Sequence, residues 1–146
     1  MDREESPVEP GDYRRLAEFR YRIRRFLAFS EAAARAAGLE PQQHQLLLAA
    51  KGIPPDIDPT IGALAERLQI QHHSAGELVD RLEERGLVER ERNDDDRRRV
   101  LVRVTPEGEA MLRDLSIHHL AELRSTGPIL VRALTAIMRG SDDVPS

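Results

Sequence analysis

Apolar residues recur at helical spacing in six stretches of the chain, and in one short region they alternate with polar residues. The six stretches, which we predict to be helices, are 12–37, 41–53, 61–68, 72–85, 106–124 and 129–139. Val100, Val102 and Val104 follow the period-two pattern of a strand with one buried face, and Val88 opens a matching run that ends near Arg92. This region therefore predicts a β-hairpin around a charged turn, residues 93–99.

Residues that favour helix ends stand at the predicted boundaries. Thr60 and Thr105 are good N-cap residues, and the Gly127-Pro128 pair is expected to divide the C-terminal segment into two helices. Prolines make residues 54–59 a connection between helices, and we expect Ile57 to pair there beside the hairpin as a third strand position.

Two of the predicted helices are short, adjacent and directly before the hairpin. Residues 61–68 and 72–85 are joined by the tight turn 69–71, and Gly86 supplies the left-handed cap of the second helix. Two such helices followed by a hairpin form a winged helix-turn-helix, whose second helix enters the major groove of DNA. The predicted fold class is therefore mainly α with a small antiparallel β wing.

The helices at the two ends of the chain carry more apolar surface than one small domain covers. The seam of the first helix comprises Leu16, Phe19, Ile23, Phe26, Ser30, Ala33 and Ala37. We expect the terminal helices to bury this surface in a dimer. The alternative is that the two ends pack against each other within one chain.

Composition narrows the classes of protein and site. The sequence has 146 residues and no cysteine, which favours one domain and excludes disulfides, thiolate metal sites and thiol-based redox sensing. The first residues do not resemble a signal peptide, and no apolar run approaches the roughly 18 residues of a membrane span, so we expect a soluble, cytoplasmic protein without membrane contacts. Because the net charge is −4, nucleic-acid binding requires a local basic feature, and Arg97-Arg98-Arg99 is the best candidate.

Two segments on either side of the charged turn carry a specific family resemblance. They read Leu-Val-Asp-Arg-Leu-Glu-Glu-Arg-Gly-Leu-Val at 78–88 and Asp-Arg-Arg-Arg-Val-Leu-Val-Arg-Val-Thr-Pro-Glu-Gly at 96–108. With helices on both sides, the chain resembles the MarR family of bacterial regulators over nearly its whole length. The resemblance implies a homodimer that presents two winged domains to a palindromic operator in double-stranded DNA. It also implies transcriptional repression relieved by a small ligand, commonly an anionic aromatic or drug-like compound.

The resemblance further implies a domain organisation and a ligand site. Residues 1–146 form one MarR-like domain, with dimerisation helices at 12–37 and 106–139 and the winged helix-turn-helix at 41–105. Effectors of the family bind in the crevice between the dimerisation helices and the winged domain. The lining residues by position are Phe19, Tyr21, Phe26, His44 and Leu48. Each could equally belong to the core, which is our expectation for Phe26 and Leu48.

The candidate DNA contacts lie on the two elements of the winged helix-turn-helix. In this motif the N-terminal side chains of the second helix meet base edges. The corresponding residues are Gln71, His72, His73 and Ser74, with Glu77 one turn further on. In the hairpin, the resemblance implies that Arg98 enters the minor groove, Arg97 and Arg99 bind phosphates, and Asp96 orients the neighbouring arginines.

The second helix departs from the family pattern at two positions. Glu77 stands where many relatives carry Arg or Lys, and Gly76 stands where they carry a basic or hydroxyl residue. Because phosphate neutralisation supplies most non-specific affinity, we expect modest affinity with a shallow dependence on salt. Gly76 costs about 1 kcal/mol relative to alanine inside a helix. Its compensation is close approach of the backbone to DNA or to a neighbouring helix, unless Gly76 reflects neutral drift.

Other chemistries have little support in the sequence. His72-His73 and His118-His119 are helix neighbours whose side chains diverge by about 100°, so we expect no metal site and no cofactor. No Gly-rich phosphate loop or nucleophile signature is present, so we expect no enzyme. The alternative function is a winged-helix protein-interaction module with weak or lost DNA readout. Glu77 and the acidic balance favour that alternative, whereas the arginine triplet opposes it.

Overall fold

The computed structural model describes residues 7–92, 95 and 99–143, which form five helices and one two-stranded sheet. The elements are α1 (Pro10–Ala36), α2 (Pro41–Lys51), α3 (Ile61–Leu68), α4 (His72–Glu84), β1 (Val88–Arg92), β2 (Val100–Val104) and α5 (Pro106–Arg139). The strands pair antiparallel, with Val88 opposite Val104 and Arg92 opposite Val100. The predicted fold class, mainly α with a small antiparallel wing, is confirmed.

The chain divides into two compact units. One unit comprises residues 31–117 and contains α2, α3, α4 and the hairpin; we call it the winged unit. The other comprises residues 1–30 and 118–146 and contains most of α1 together with the C-terminal part of α5; we call it the helical unit. The predicted organisation as one domain with two dimerisation helices stays a prediction.

The core of the winged unit is almost entirely aliphatic. Its largest fully buried side chains are Leu39, Leu46, Leu47, Leu64, Leu82, His44, Val79, Val88 and Val102. Apart from Leu39, which lies just before α2, they come from α2, α3, α4 and both strands, so each element buries its apolar stripe against the others. At roughly 1.5–3 kcal/mol for each buried aliphatic side chain, this packing is the main force that holds the hairpin and the two short helices together.

The connection before α3 pairs with the wing through a different residue from the one predicted. Thr60 caps α3 as expected, because its Oγ1 accepts a hydrogen bond from the Ala63 N–H at 3.1 Å. The isolated β-bridge, however, joins Thr60 to Leu101, so the prediction of Ile57 was wrong. Ile57 lies instead in a local turn, where its N–H donates to the Pro54 carbonyl at 3.0 Å.

The predicted break at Gly127-Pro128 was also wrong, since α5 runs as one helix from Pro106 to Arg139 with Pro128 inside it. Proline removes one backbone hydrogen bond and crowds the preceding turn, but it does not end a helix when the residues on both sides continue the helical pattern. Just before the proline, the Thr126 hydroxyl donates to the Glu122 carbonyl at 2.9 Å.

The helical unit has a small polar and aromatic cluster on its inside and apolar side chains on its surface. Ser30 is buried and lies 2.7 Å from His119 Nε2, and the rings of Phe26 and Phe29 meet the His119 ring edge-on. The exposed apolar side chains of this unit include Tyr13, Leu16, Leu27, Leu120, Leu123, Val131, Leu134 and Met138. Apolar surface of this extent is typical of a helix pair that packs against another protein surface.

Candidate nucleic-acid interface

A tight turn holds α3 and α4 in the helix-turn-helix arrangement. Gln69 ends α3 in the left-handed conformation, with φ of 55°, and its backbone N–H donates to the Glu66 carbonyl at 3.1 Å. Its side chain adds a second bond to the same carbonyl at 2.8 Å. These local bonds offset the cost of positive φ in a residue other than glycine. The turn 69–71 is therefore short and fixed, as the sequence predicted.

The start of α4 presents polar side chains to solvent. Gln71, His72 and His73 are exposed and Ser74 is half-buried, while Ala75 immediately after them is fully buried. Gln71 makes no side-chain cap, so the N–H groups of the first turn of α4 keep their capacity to meet an external acceptor. The structure thus brings the four predicted base-reading residues together at one helix end, in the position at which helix-turn-helix proteins meet DNA.

Gly76 lies one turn into α4 and has no neighbour that explains it. A Cβ added to Gly76 meets no atom within 4 Å. Close packing against another part of the described chain is therefore not the reason for glycine here. Two explanations of this glycine therefore remain, which are close approach of the helix backbone to DNA and neutral drift.

The hairpin beside α4 carries one of the predicted wing residues within the described part of the chain. Asp96, Arg97 and Arg98 lie outside the described residues. Arg99 is exposed and forms an ion pair with Asp58 of the connection before α3, with 2.5 Å between the guanidinium and the carboxylate. The predicted phosphate contact of Arg99 therefore requires that DNA replace Asp58 or share the guanidinium with it.

The base of the hairpin is joined tightly to the start of α5. Thr105 donates its N–H to the Leu87 carbonyl at 3.1 Å and its hydroxyl to the Gly86 carbonyl at 2.6 Å, and its hydroxyl oxygen accepts from the Gly108 N–H at 3.1 Å. A Cβ on Gly108 would lie 2.1 Å from the Leu87 oxygen, so only glycine fits. Sequence reasoning noted the Thr-Pro-Glu-Gly run but did not predict this close approach.

The exposed surface of α4 is acidic, and part of this charge is neutralised by the hairpin. Glu77, Asp80 and Glu84 are exposed on α4. Arg90 of β1 pairs with Asp80 at 2.5 Å and with Glu83 at 2.8 Å. Partial burial lowers the pKa of Arg90, but hydrogen bonds to the two carboxylates more than compensate, so its pKa lies above the ordinary arginine value. Sequence reasoning missed Arg90, because a charged residue in a strand gives no signal of its partner.

The predicted effector-lining residues are divided between the two units. Phe19 and Phe26 are half-buried and Tyr21 is 45% exposed in the helical unit, whereas His44 is 2% and Leu48 45% exposed on α2 of the winged unit. Leu48 is therefore no core residue of the described chain, contrary to expectation. Within the helical unit, Phe26 and Phe29 line a cavity of about 320 Å³ together with Arg22, Arg25, Glu122, Thr126, Ile129 and Leu130.

The described residues form neither a metal site nor a membrane span. His118 is exposed and His119 bonds to Ser30, and across the described residues no three metal-ligating side chains converge. Among the helices that the structure describes, none combines the length and apolarity that crossing a bilayer requires.

A comparison with models of protein families finds a match, and it covers most of this interface. Residues 37–99 match the model of the MarR family. The matched span contains α2, α3, α4 and β1 and ends at Arg99. No curated protein matches the chain.

Solved structures match a larger part of the chain. A MarR family transcription regulator is similar at 23% identity with a TM-score of 0.71, covering 87% of this chain and 83% of that one. A mutant of Staphylococcus aureus MepR, solved bound to an oligodeoxyribonucleotide, is similar at 18% identity with a TM-score of 0.62, covering 84% of this chain and 94% of that one. Rhodococcus jostii CouR, solved bound to p-coumaroyl-CoA, is similar at 24% identity with a TM-score of 0.59, covering 77% of this chain and 82% of that one. Residues 37–99 thus match the model of the MarR family, and the chain has the fold of the MarR family regulators.

Proposed function

We propose that the chain is a dimeric, DNA-binding transcriptional repressor that a small-molecule ligand releases from its operator. The observation that carries this proposal is the exposed polar start of α4 beside an antiparallel hairpin, in a segment of the MarR family. Gln71, His72, His73 and Ser74 read base edges in the major groove, and the hairpin arginines bind the backbone and the adjacent minor groove. The oligodeoxyribonucleotide bound to the MepR mutant supports DNA as the partner.

The surface of the helical unit supports a homodimer. Val131, Leu134 and Met138 follow each other at helical spacing on α5 and are 64%, 43% and 76% exposed. A second copy of the chain covers this stripe and the exposed apolar residues of α1. Two copies related by a two-fold axis present two α4 helices to a palindromic site, because the symmetry of a dimer is mirrored in its operator.

The cavity in the helical unit supports a small aromatic or anionic effector. Its volume of about 320 Å³ is at the lower end of small-molecule sites, and Phe26 and Phe29 supply aromatic walls. Arg22 and Arg25 line this cavity beside the single carboxylate of Glu122, and the Arg25 guanidinium donates to the Tyr21 hydroxyl at 3.2 Å, so the cationic side chains of the lining outnumber the anionic one. The p-coumaroyl-CoA bound to CouR supports a ligand with an aromatic part.

One observation favours the protein-interaction module as a second candidate function. The exposed residues Glu77, Asp80 and Glu84 make α4 acidic, and acidic side chains repel DNA phosphates. A winged helix with this surface suits a basic protein partner.

Binding to DNA from the region upstream of the encoding gene decides between the two functions. We expect the purified protein to shift this DNA in a gel at low salt and to discriminate it from a shuffled sequence of the same composition. A titration with salt is expected to give a shallow slope, since α4 carries no arginine or lysine near its start. Absence of any shift at low salt contradicts the repressor and favours the interaction module.

A further inference from the structure

Arg90 is a hairpin residue whose side chain binds the recognition helix. It lies on β1 opposite Val102 of β2, yet its guanidinium contacts carboxylates on two successive turns of α4. The distances are 2.5 Å to Asp80 Oδ1 and 2.8 Å to Glu83 Oε1. One planar guanidinium thus spans two acidic side chains, which is a geometry that lysine cannot reproduce.

The backbone of Arg90 is held by the same helix. Its N–H donates to the second oxygen of Glu83 at 3.0 Å, so both carboxylate oxygens of Glu83 bond to Arg90. This N–H lies on the edge of β1 that β2 does not cover. The middle of β1 is therefore bonded to β2 on one edge and to α4 on the other.

Two other ion pairs of the hairpin do not join it to α4, since Arg99 pairs with Asp58 of the connection before α3. Arg103 on β2 pairs with Glu91 on β1, so that contact joins the two strands only to each other. A two-stranded hairpin is marginally stable by itself and its direction is set by what it packs against. At the level of Arg90, α4 holds the free edge of β1, whereas the connection before α3 holds β2, because the Val102 N–H donates to the Pro59 carbonyl at 2.8 Å.

We infer that Arg90 is a positioning residue for DNA recognition, which fixes the hairpin against α4 so that both elements meet the operator as one preorganised surface. The inference rests on the proposed DNA-binding function. Its physical basis is that a surface ordered before binding loses less conformational entropy when it binds. Because the Arg90, Asp80 and Glu83 side chains are 29%, 60% and 40% exposed, their loss leaves the fold intact.

A matched pair of arginine variants separates positioning from charge. Arg90→Ala and Arg103→Ala each remove one positive charge from the hairpin strands, but only the first removes the ion pairs that join β1 to α4. We expect Arg103→Ala to weaken binding to the upstream DNA by roughly threefold, as the loss of one distant charge does. Arg90→Ala is expected to weaken it at least about tenfold more, and hydroxyl-radical footprints are expected to lose the protection by the hairpin while that by α4 persists.

A second matched pair tests the same contact from the helix, with a charge change of opposite sign. Glu83→Ala and Glu84→Ala each remove one negative charge from α4, and Glu84 has no ion pair among the described residues. If charge alone matters, both variants bind DNA more tightly. We expect Glu84→Ala to bind more tightly, whereas Glu83→Ala binds more weakly and loses the footprint of the hairpin.

The outcomes distinguish this inference from the function on which it rests. Equal effects within each pair, with unchanged footprints, overturn the positioning role while DNA binding stands. Failure of the wild-type protein to bind the upstream DNA overturns the repressor function, and the positioning role with it. Thermal unfolding of all four variants accompanies the binding data, and a weakened Arg90→Ala protein with a wild-type unfolding midpoint supports positioning.

Discussion

The Cα of Gly108 lies so close to Leu87 that a Cβ there would approach the Leu87 carbonyl oxygen to 2.1 Å. That oxygen already accepts the Thr105 N–H, and the Thr105 hydroxyl accepts the Gly108 N–H. The end of the hairpin, the start of α5 and Leu87, the third residue beyond the recognition helix, therefore meet at one backbone contact. No side-chain movement can relieve a clash with a backbone oxygen.

Gly108→Ala is consequently expected to lower the free energy of unfolding, by about 1–3 kcal/mol or more, because α5 must move away from Leu87. The matched control is Gly127→Ala in the same helix, where a Cβ meets nothing within 4 Å. This control is expected to raise stability by up to about 1 kcal/mol through helix propensity. Chemical denaturation of both variants measures the two effects, and equal stabilities contradict the close approach.

Gly76→Ala is expected to stabilise the free protein and weaken DNA binding. The added methyl group has open space around it, so helix propensity alone acts and raises the free energy of unfolding by about 1 kcal/mol. If the first turns of α4 enter the major groove, the same methyl group meets DNA and the operator affinity falls severalfold. Denaturation and fluorescence anisotropy measure the two quantities. Unchanged affinity identifies Gly76 as neutral drift.

Asp58→Asn is expected to strengthen DNA binding by releasing Arg99. The ion pair is exposed and worth about 0–1 kcal/mol, so its loss leaves folding intact and raises affinity by at most about fivefold. One additional phosphate contact increases the salt slope by about 0.9. Asp56→Asn is the control, because it removes the same charge from the same connection without breaking an ion pair within the described chain. An equal change of slope in both variants contradicts the competition.

Arg98→Ala is expected to abolish operator binding and leave the dimer intact. Arg98 lies outside the described residues, and its role as the minor-groove contact comes from the family resemblance. Since the start of α4 carries no arginine or lysine, the hairpin has to supply much of the positive charge that meets DNA. Gel shifts measure the loss, and light scattering after size exclusion measures the oligomer. Retained binding shows that α4 carries the affinity.

Local signals were sufficient to predict the helix-turn-helix. The caps at Thr60 and Gly86, the short turn 69–71 and the alternation of Val100, Val102 and Val104 each depend on residues near in sequence, and all were observed. The prediction of a helix break at Pro128 also used only residues near in sequence, and it was wrong. A proline is a strong local signal, but whether it ends a helix depends on its surroundings.

The contacts that organise the site depend on how separate elements are placed relative to one another. Arg90 follows Glu83 by only seven residues, but one lies in β1 and the other in α4, so their pairing depends on the direction in which the hairpin leaves the helix. Asp58 and Arg99 are brought together by the pairing of Thr60 with Leu101. A sequence pattern carries no information on such partners, because exposed charged residues are compatible with many pairings.

The bonds between Arg90 and α4 also bear on how the operator preference of this protein can be changed. Asp80 and Glu83 are committed to holding the hairpin, so these two positions of α4 tolerate little variation without loss of the binding surface. Residues 71–74, 76 and 77 have no such commitment to the hairpin in the ion pairs of the described chain, and they lie outside the buried core that holds Ala75. A library restricted to these positions can therefore sample new base preferences on an unchanged scaffold, as a starting point for designed regulators.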